Sequence, residues 1–324
     1  MAPNQPRSTD PAPSTAAAAA SATHSARLGL VLGSVAVLFW SFGSSLIFLG
    51  ARQAGAWPFV AIAALVGGGS QLIGWRLYRG GFRSAICLPW RLWAVSLPCF
   101  VLYGLVWPWA LVNSSAKQVF GVSLINYLWP VLTVLFSAWW VPGARLKTRT
   151  VLATFLALAG LVCANLQHIR DLLAAGDSAG VSPVRRFLPY GLALLAAVTW
   201  AVYSTLLARW RDWARNYVTS PVGFLLTGTI ACAITAFTGS MPAKLSAPGT
   251  LLIICYGAGP LAVGYLLWEI ALSKAKVHTL SLLAAATPVL STFLLCLFLR
   301  TLPGPELIIA ALLVGGGVLL SARE

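Results

Sequence analysis

The chain of 324 residues is 59% hydrophobic and only 9% charged, with a mean hydropathy of +0.83. A soluble domain is excluded, because folding alone cannot bury that much apolar surface. The net charge of +15 does not point to nucleic acid, since the basic residues lie between apolar runs rather than in one patch.

The chain opens with residues 1–27, rich in Pro, Ala, Ser and Thr, which are expected to form a disordered cytoplasmic tail. This stretch lacks the basic segment and apolar core of a secretory signal. Ten apolar runs of helix length follow, at about 28–49, 58–77, 92–112, 118–141, 148–165, 187–207, 221–237, 250–272, 277–298 and 304–320, and each is expected to cross a membrane. Alternate loops differ in basic content: one side collects 15 Lys and Arg and the other 7. By the positive-inside rule both termini are expected in the cytoplasm.

The runs repeat. Ser123 to Leu132 (SLINYLWPVL) returns 158 residues later as Ser281 to Leu290 (SLLAAATPVL), with Pro130 and Pro288 in register. Trp40, Ser44 and Leu46 return as Trp200, Ser204 and Leu206 at an offset of 160, and Trp107, Ala110 and Leu111 return as Trp268, Ala271 and Leu272 at 161. Each pair is five spans apart, and an odd number reverses direction across the bilayer. The expected fold is therefore all-α integral membrane, ten transmembrane helices as two inverted five-helix repeats (28–165 and 187–321, joined by an external loop 166–186) around a central cavity.

Five plus five spans, short loops, a Trp-Ser pair opening each half and an S-L-x5-P-V-L segment in the fourth and ninth spans resemble the drug/metabolite transporter superfamily, EamA type. Within it the abundance of Trp is similar to the YddG-type exporters of aromatic amino acids. The resemblance covers roughly residues 28–321. It implies a basket of helices around a cavity open to one side at a time, with the third, fourth, eighth and ninth spans moving and the fifth and tenth as scaffold. Small proton-coupled multidrug members carry a Glu in the first span; this first span has none, so their coupling is not carried over.

Candidate substrate-binding residues follow from helix faces. Ser123, Asn126, Tyr127 and Pro130 are spaced to share one face, and Asn126 bears the carbonyl that Pro130 cannot bond. The matching face of the ninth span holds Ser281, Ala284, Ala285 and Pro288, small where its counterpart is polar. Freed carbonyls at Asn126 and Ala284 are expected to take an ammonium, and the side chains of Ser44, Ser204 and Asn126 a carboxylate. Trp40 and Trp200 lie mid-span, where an interfacial belt cannot account for them; with Tyr103, Trp107, Tyr203, Tyr265 and Trp268 they supply aromatic surface. Trp57, Trp90, Trp93, Trp139 and Trp140 sit near span ends and read as belt residues.

Glu269 has two readings, an intramembrane coupling or ammonium site and an ion pair with Lys274 or Lys276. His278 and Lys117 lie at span ends and read as snorkelling groups able to meet a carboxylate. Gly29, Gly33, Gly67 to Gly69 and Gly315 to Gly317 read as close helix contacts. The scattered histidines, the loop carboxylates and six cysteines without a CxxC offer no hydrolase, metal or phosphate-loop pattern, so no enzyme activity and no cofactor are expected. The function expected is a secondary carrier, a monomer in the lipid bilayer, exporting aromatic or other apolar amino acids. Export of another metabolite or drug, and a channel, are the alternatives.

Overall fold

The computed structural model describes residues 15–142, 147–164, 166, 170, 182–214, 216–240, 245–275, 280, 283, 284 and 286–322. All regular structure among them is helical. The helices are α1 (Thr15–Ser41), α2 (Gly43–Ala54), α3 (Ala56–Arg79), α4 (Arg83–Ile86), α5 (Leu97–Val112), α6 (Gln118–Asn126), α7 (Trp129–Trp140), α8 (Thr148–Ala164), α9 (Pro183–Arg209), α10 (Arg211–Ala214), α11 (Ser220–Thr238), α12 (Ala247–Tyr256), α13 (Tyr265–Lys274), α14 (Thr287–Leu299) and α15 (Pro305–Ala322). Wider π-type turns, Leu92–Ser96 and Gly257–Gly264, run into α5 and α13. Helix α1 starts ahead of residue 28 because the Ala16 to Ala20 run is strongly helix-forming.

Among the described residues, seven stretches are long and apolar enough to cross a membrane: Thr23–Ala54, Ala56–Arg79, Leu92–Val112, Gln118–Trp140, Val184–Leu207, Ser220–Thr238 and Ala247–Ala271. Val151–Ala164, Thr287–Leu299 and Pro305–Gly317 are apolar but shorter. Lys276, just before the ninth expected span, and His278, Ser281 and Ala285 within its first part lie outside the described residues, as do residues 1–14 and most of 166–186.

Several spans are broken rather than bent, and each break has a local cause. The first span stops at Phe42 (φ −78°, ψ −17°), where Gly43 and Ser44 follow and the Ser41 hydroxyl bonds back to the Val37 carbonyl at 2.8 Å. The fourth stops at Asn126 and restarts at Trp129, with Pro130 in the first turn of α7. A proline fits there because first-turn amides have no helical partner. The Leu128 amide turns back to the Ile125 carbonyl at 3.0 Å and the Leu132 amide reaches the Leu128 carbonyl at 3.0 Å. At the offset of 158 the same two bonds recur, Ala286 to Leu283 at 3.0 Å and Leu290 to Ala286 at 3.0 Å. Leu128 (−73°, −15°) and Ala286 (−74°, −21°) adopt nearly one conformation.

Helix starts are set locally too. Ser115 and Gln118 form a reciprocal box before α6, each side chain meeting the other's amide at 3.2 and 3.0 Å. Ser246 accepts from the Gly249 amide at 3.1 Å before α12.

Glycines then decide how closely the helices approach. Helix α3 lies against α11, and α8 against α15. A Cβ at Gly68 would stand 2.8 Å from the Pro221 carbonyl oxygen, and one at Gly228 3.0 Å from the Leu65 amide nitrogen. Likewise Gly160 faces the Ala310 carbonyl at 2.8 Å and Gly317 the Ala153 carbonyl at 2.6 Å. Absent side chains let backbones meet where lipid gives no hydrophobic drive to association. Helix α1 packs on α13 and α5 on α9; α7 packs on α9 and α14 on α1.

Candidate functional site

The breaks of the first and fourth spans, the start of α14, and the π-type turn of the eighth span converge on one cavity, about 560 Å³ of space free of protein atoms with its opening to solvent included. Trp40, Gly43 and Ser44 line it from the first span, Tyr103 and Trp107 from α5, Asn126, Tyr127 and Trp129 from the fourth, Trp200 from α9, Tyr256, Pro260, Leu261 and Tyr265 from the eighth, and Thr287 from α14.

Its walls are mostly rings. Trp200, 5% exposed, sits 4.9 Å from Tyr103, 4.8 Å from Tyr203, 5.4 Å from Tyr265 and 6.3 Å from Trp129, centroid to centroid. Trp40 stands 5.0 Å from both Tyr265 and Trp268. Two buried polar atoms on these walls meet no partner among the described residues: the Trp40 indole Nε1, a donor, and the Asn126 Oδ1, an acceptor. The Asn126 amide Nδ2 donates to the Tyr103 hydroxyl at 3.4 Å. A buried donor and acceptor left open carry a desolvation cost that a ligand with complementary groups would remove.

Of the residues the sequence pointed to, Trp40, Ser44, Tyr103, Trp107, Asn126, Tyr127, Trp200 and Tyr265 line the cavity. Ser123 does not: it is 5% exposed with its Oγ unpartnered, although it shares α6 with Asn126. The break turns Trp129 inward instead. Thr287, 158 residues on from Trp129, also lines the cavity, so the repeat register held the signal for both. Ser204 spends its hydroxyl on the Trp200 carbonyl at 2.8 Å. Trp268 stacks behind Trp40 rather than lining the space, and Pro130 and Pro288 set the breaks. Ser281 lies outside the described residues. Tyr256, Pro260, Leu261 and Gly43 came with no sequence signal, since their places depend on helix packing. Trp107 is 5% exposed and faces the cavity.

Tyr203 and Glu269 belong to a polar cluster beside the cavity. The Tyr203 hydroxyl lies 2.6 Å from Thr219 Oγ1 and donates to Glu269 Oε1 at 3.4 Å. The Ser220 amide donates to the same oxygen at 3.3 Å, so Glu269 caps the N-terminus of α11, where an acceptor and negative charge are both favoured. The Ser220 hydroxyl donates to Gln71 Oε1 at 2.6 Å, and the Gln71 amide donates to the carbonyl of cavity-lining Leu261. Among the described residues no basic side chain is recorded against Glu269; Lys276 and His278 lie outside them.

The sequence model of the EamA-like transporter family matches residues 188–323. The aromatic amino acid exporter YddG of Ancylobacter novellus is 30% identical over 290 residues, covering 89% of this chain and 94% of that protein. The exporter of the same name from Escherichia coli K12 is 26% identical, over 90% of this chain and 95% of its own. A protein of known crystal structure superposes with a TM-score of 0.69 at 25% identity, over 91% of this chain and 99% of its own.

Proposed function

The chain belongs to the EamA-like transporter family as a homologue of the YddG-type exporters, and from that membership we propose that it exports aromatic and other apolar amino acids across the cytoplasmic membrane by alternating access. It is a multi-pass membrane transporter and not an enzyme. The observation that carries the substrate class is the pairing, within one ring-lined cavity, of an open donor at Trp40 Nε1 and an open acceptor at Asn126 Oδ1. An amino acid brings a carboxylate for the first and an ammonium for the second, and its two charges must be desolvated together for the cost to be tolerable. The aromatic walls then add about 0.5–1.5 kcal/mol per ring contact beyond burial.

The architecture behind this reading is ten spans in two inverted halves, residues 28–165 and 187–321, joined by 166–186. Support comes from the packing: exchanging each span for the one five further on turns the α1–α13 contact into α9–α5, and α7–α9 into α14–α1. The duplicated hydrogen bonds at Leu128 and Ala286 support it as well. The halves rock about the breaks, which are the softest points of the spans. Basic residues put both termini in the cytoplasm, and one chain suffices because the cavity is lined by its own helices.

The test is counterflow. Purified protein in vesicles loaded with unlabelled tryptophan, with labelled tryptophan outside and no ion gradient, should accumulate label transiently, while empty vesicles should not. No accumulation by folded protein would overturn the substrate reading in favour of another metabolite or drug. Steady, non-exchanging leak would favour a channel.

A further inference from the structure

A second, smaller lobe adjoins the cavity. Tyr103, Trp107, Tyr256, Leu261 and Tyr265 line both lobes, so the two adjoin across one set of side chains. The remaining walls differ in kind. The side lobe adds Val60 and Ala64 from α3, Gly104 and Pro108 from α5, and Phe224 and Thr227 from α11. Thr227 spends its hydroxyl on the Gly223 carbonyl at 2.8 Å. None of the side-lobe residues has a buried side-chain polar atom lacking a partner, whereas the main lobe has the two at Trp40 and Asn126.

An amino acid is divided the same way, with both charges on one carbon and the side chain projecting from it. We propose that the side lobe is a specificity pocket for the substrate's apolar side chain, with Val60 and Ala64 setting its depth, while the main lobe holds the ammonium and carboxylate. A group placed there meets mostly carbon and ring surface; a polar side chain would lose its hydration with little replacement. Large apolar side chains gain most, because the lobe is walled by Trp107, Phe224, Tyr256 and Tyr265. Gly104 keeps the lobe tight on the α11 side, since a Cβ there would stand 2.8 Å from Thr227 Cγ2.

This inference rests on the amino acid export reading, and its test separates the two. Counterflow is measured with tryptophan and with leucine for the wild type, Ala64→Leu, which fills the lobe, and Val60→Ala, which deepens it. One methylene in an apolar pocket changes selectivity by about 10- to 200-fold. Ala64→Leu is expected to lower the tryptophan-to-leucine ratio by at least about tenfold, and Val60→Ala to raise it. If Ala64→Leu does not fold, the Val60→Ala ratio decides alone. Wild-type exchange of both amino acids with an unchanged ratio in the folded variants overturns the pocket and leaves the export reading standing. A wild type that exchanges neither overturns both.

Discussion

Gln71→Leu is the most exposing perturbation of this packing. Gln71 is 0% exposed, as is Ser220, and its amide joins two spans at once: it accepts from the Ser220 hydroxyl at 2.6 Å and donates to the Leu261 carbonyl. That carbonyl lies within the Gly257–Gly264 π-type turn, where the regular helical ladder is interrupted and a side-chain donor has most to supply. Leucine of similar size fills the space and makes neither bond. Hydrogen bonds between membrane helices average about 0.6 kcal/mol and reach about 1.7, so the two together give a loss of about 1.2 kcal/mol and at most about 3.4. Equilibrium unfolding in mixed micelles with rising SDS measures this directly. Ser220→Ala should cost about half as much, and the double variant should cost less than the sum, because the Ser220 bond is lost in both single variants. Unchanged stability of Gln71→Leu, or strict additivity with Ser220→Ala, would refute the network. Because Leu261 lines the cavity, the apparent affinity for tryptophan should weaken in the same variant.

Trp40→Phe keeps a ring and removes Nε1; a hydrogen bond to a charged group is worth about 1.5–3 kcal/mol, so the KM for tryptophan should rise by about 10- to 150-fold in vesicle transport with folding intact. Gly317→Leu should abolish monodisperse protein on size exclusion, since even a Cβ there stands 2.6 Å from the Ala153 carbonyl and 3.2 Å from the Ala157 amide nitrogen; Gly316→Leu, with nothing within 4 Å of its Cβ, should be tolerated. Glu269→Gln retains an acceptor for the Ser220 amide and should preserve stability, whereas Glu269→Leu leaves that amide unmet and should cost about 1–3 kcal/mol in the same SDS unfolding.

Membrane class was legible because hydropathy is a property of the chain itself: each apolar run needs no partner to be recognised. Two of the breaks have a cause local to the sequence: a missing proline N–H acts on the residues a turn before it, and the paired turns at Leu128 and Ala286 lie just ahead of Pro130 and Pro288. Only the tertiary structure decided what those breaks do. Stopping α6 at Asn126 and restarting at Trp129 brought Trp129 into the cavity, a change that no face count along an unbroken helix anticipates. Equivalent residues also parted company: Trp40 and Trp200 both line the cavity, while Trp107 lines it and Trp268 backs Trp40. Which side of a helix faces the cavity depends on the neighbours against which its glycines and breaks let it settle. Those neighbours are contributed by spans far away in sequence. Glu269 makes the same point: its sequence neighbours offered an ion pair or a coupling site, and the fold sets it against the amide end of α11.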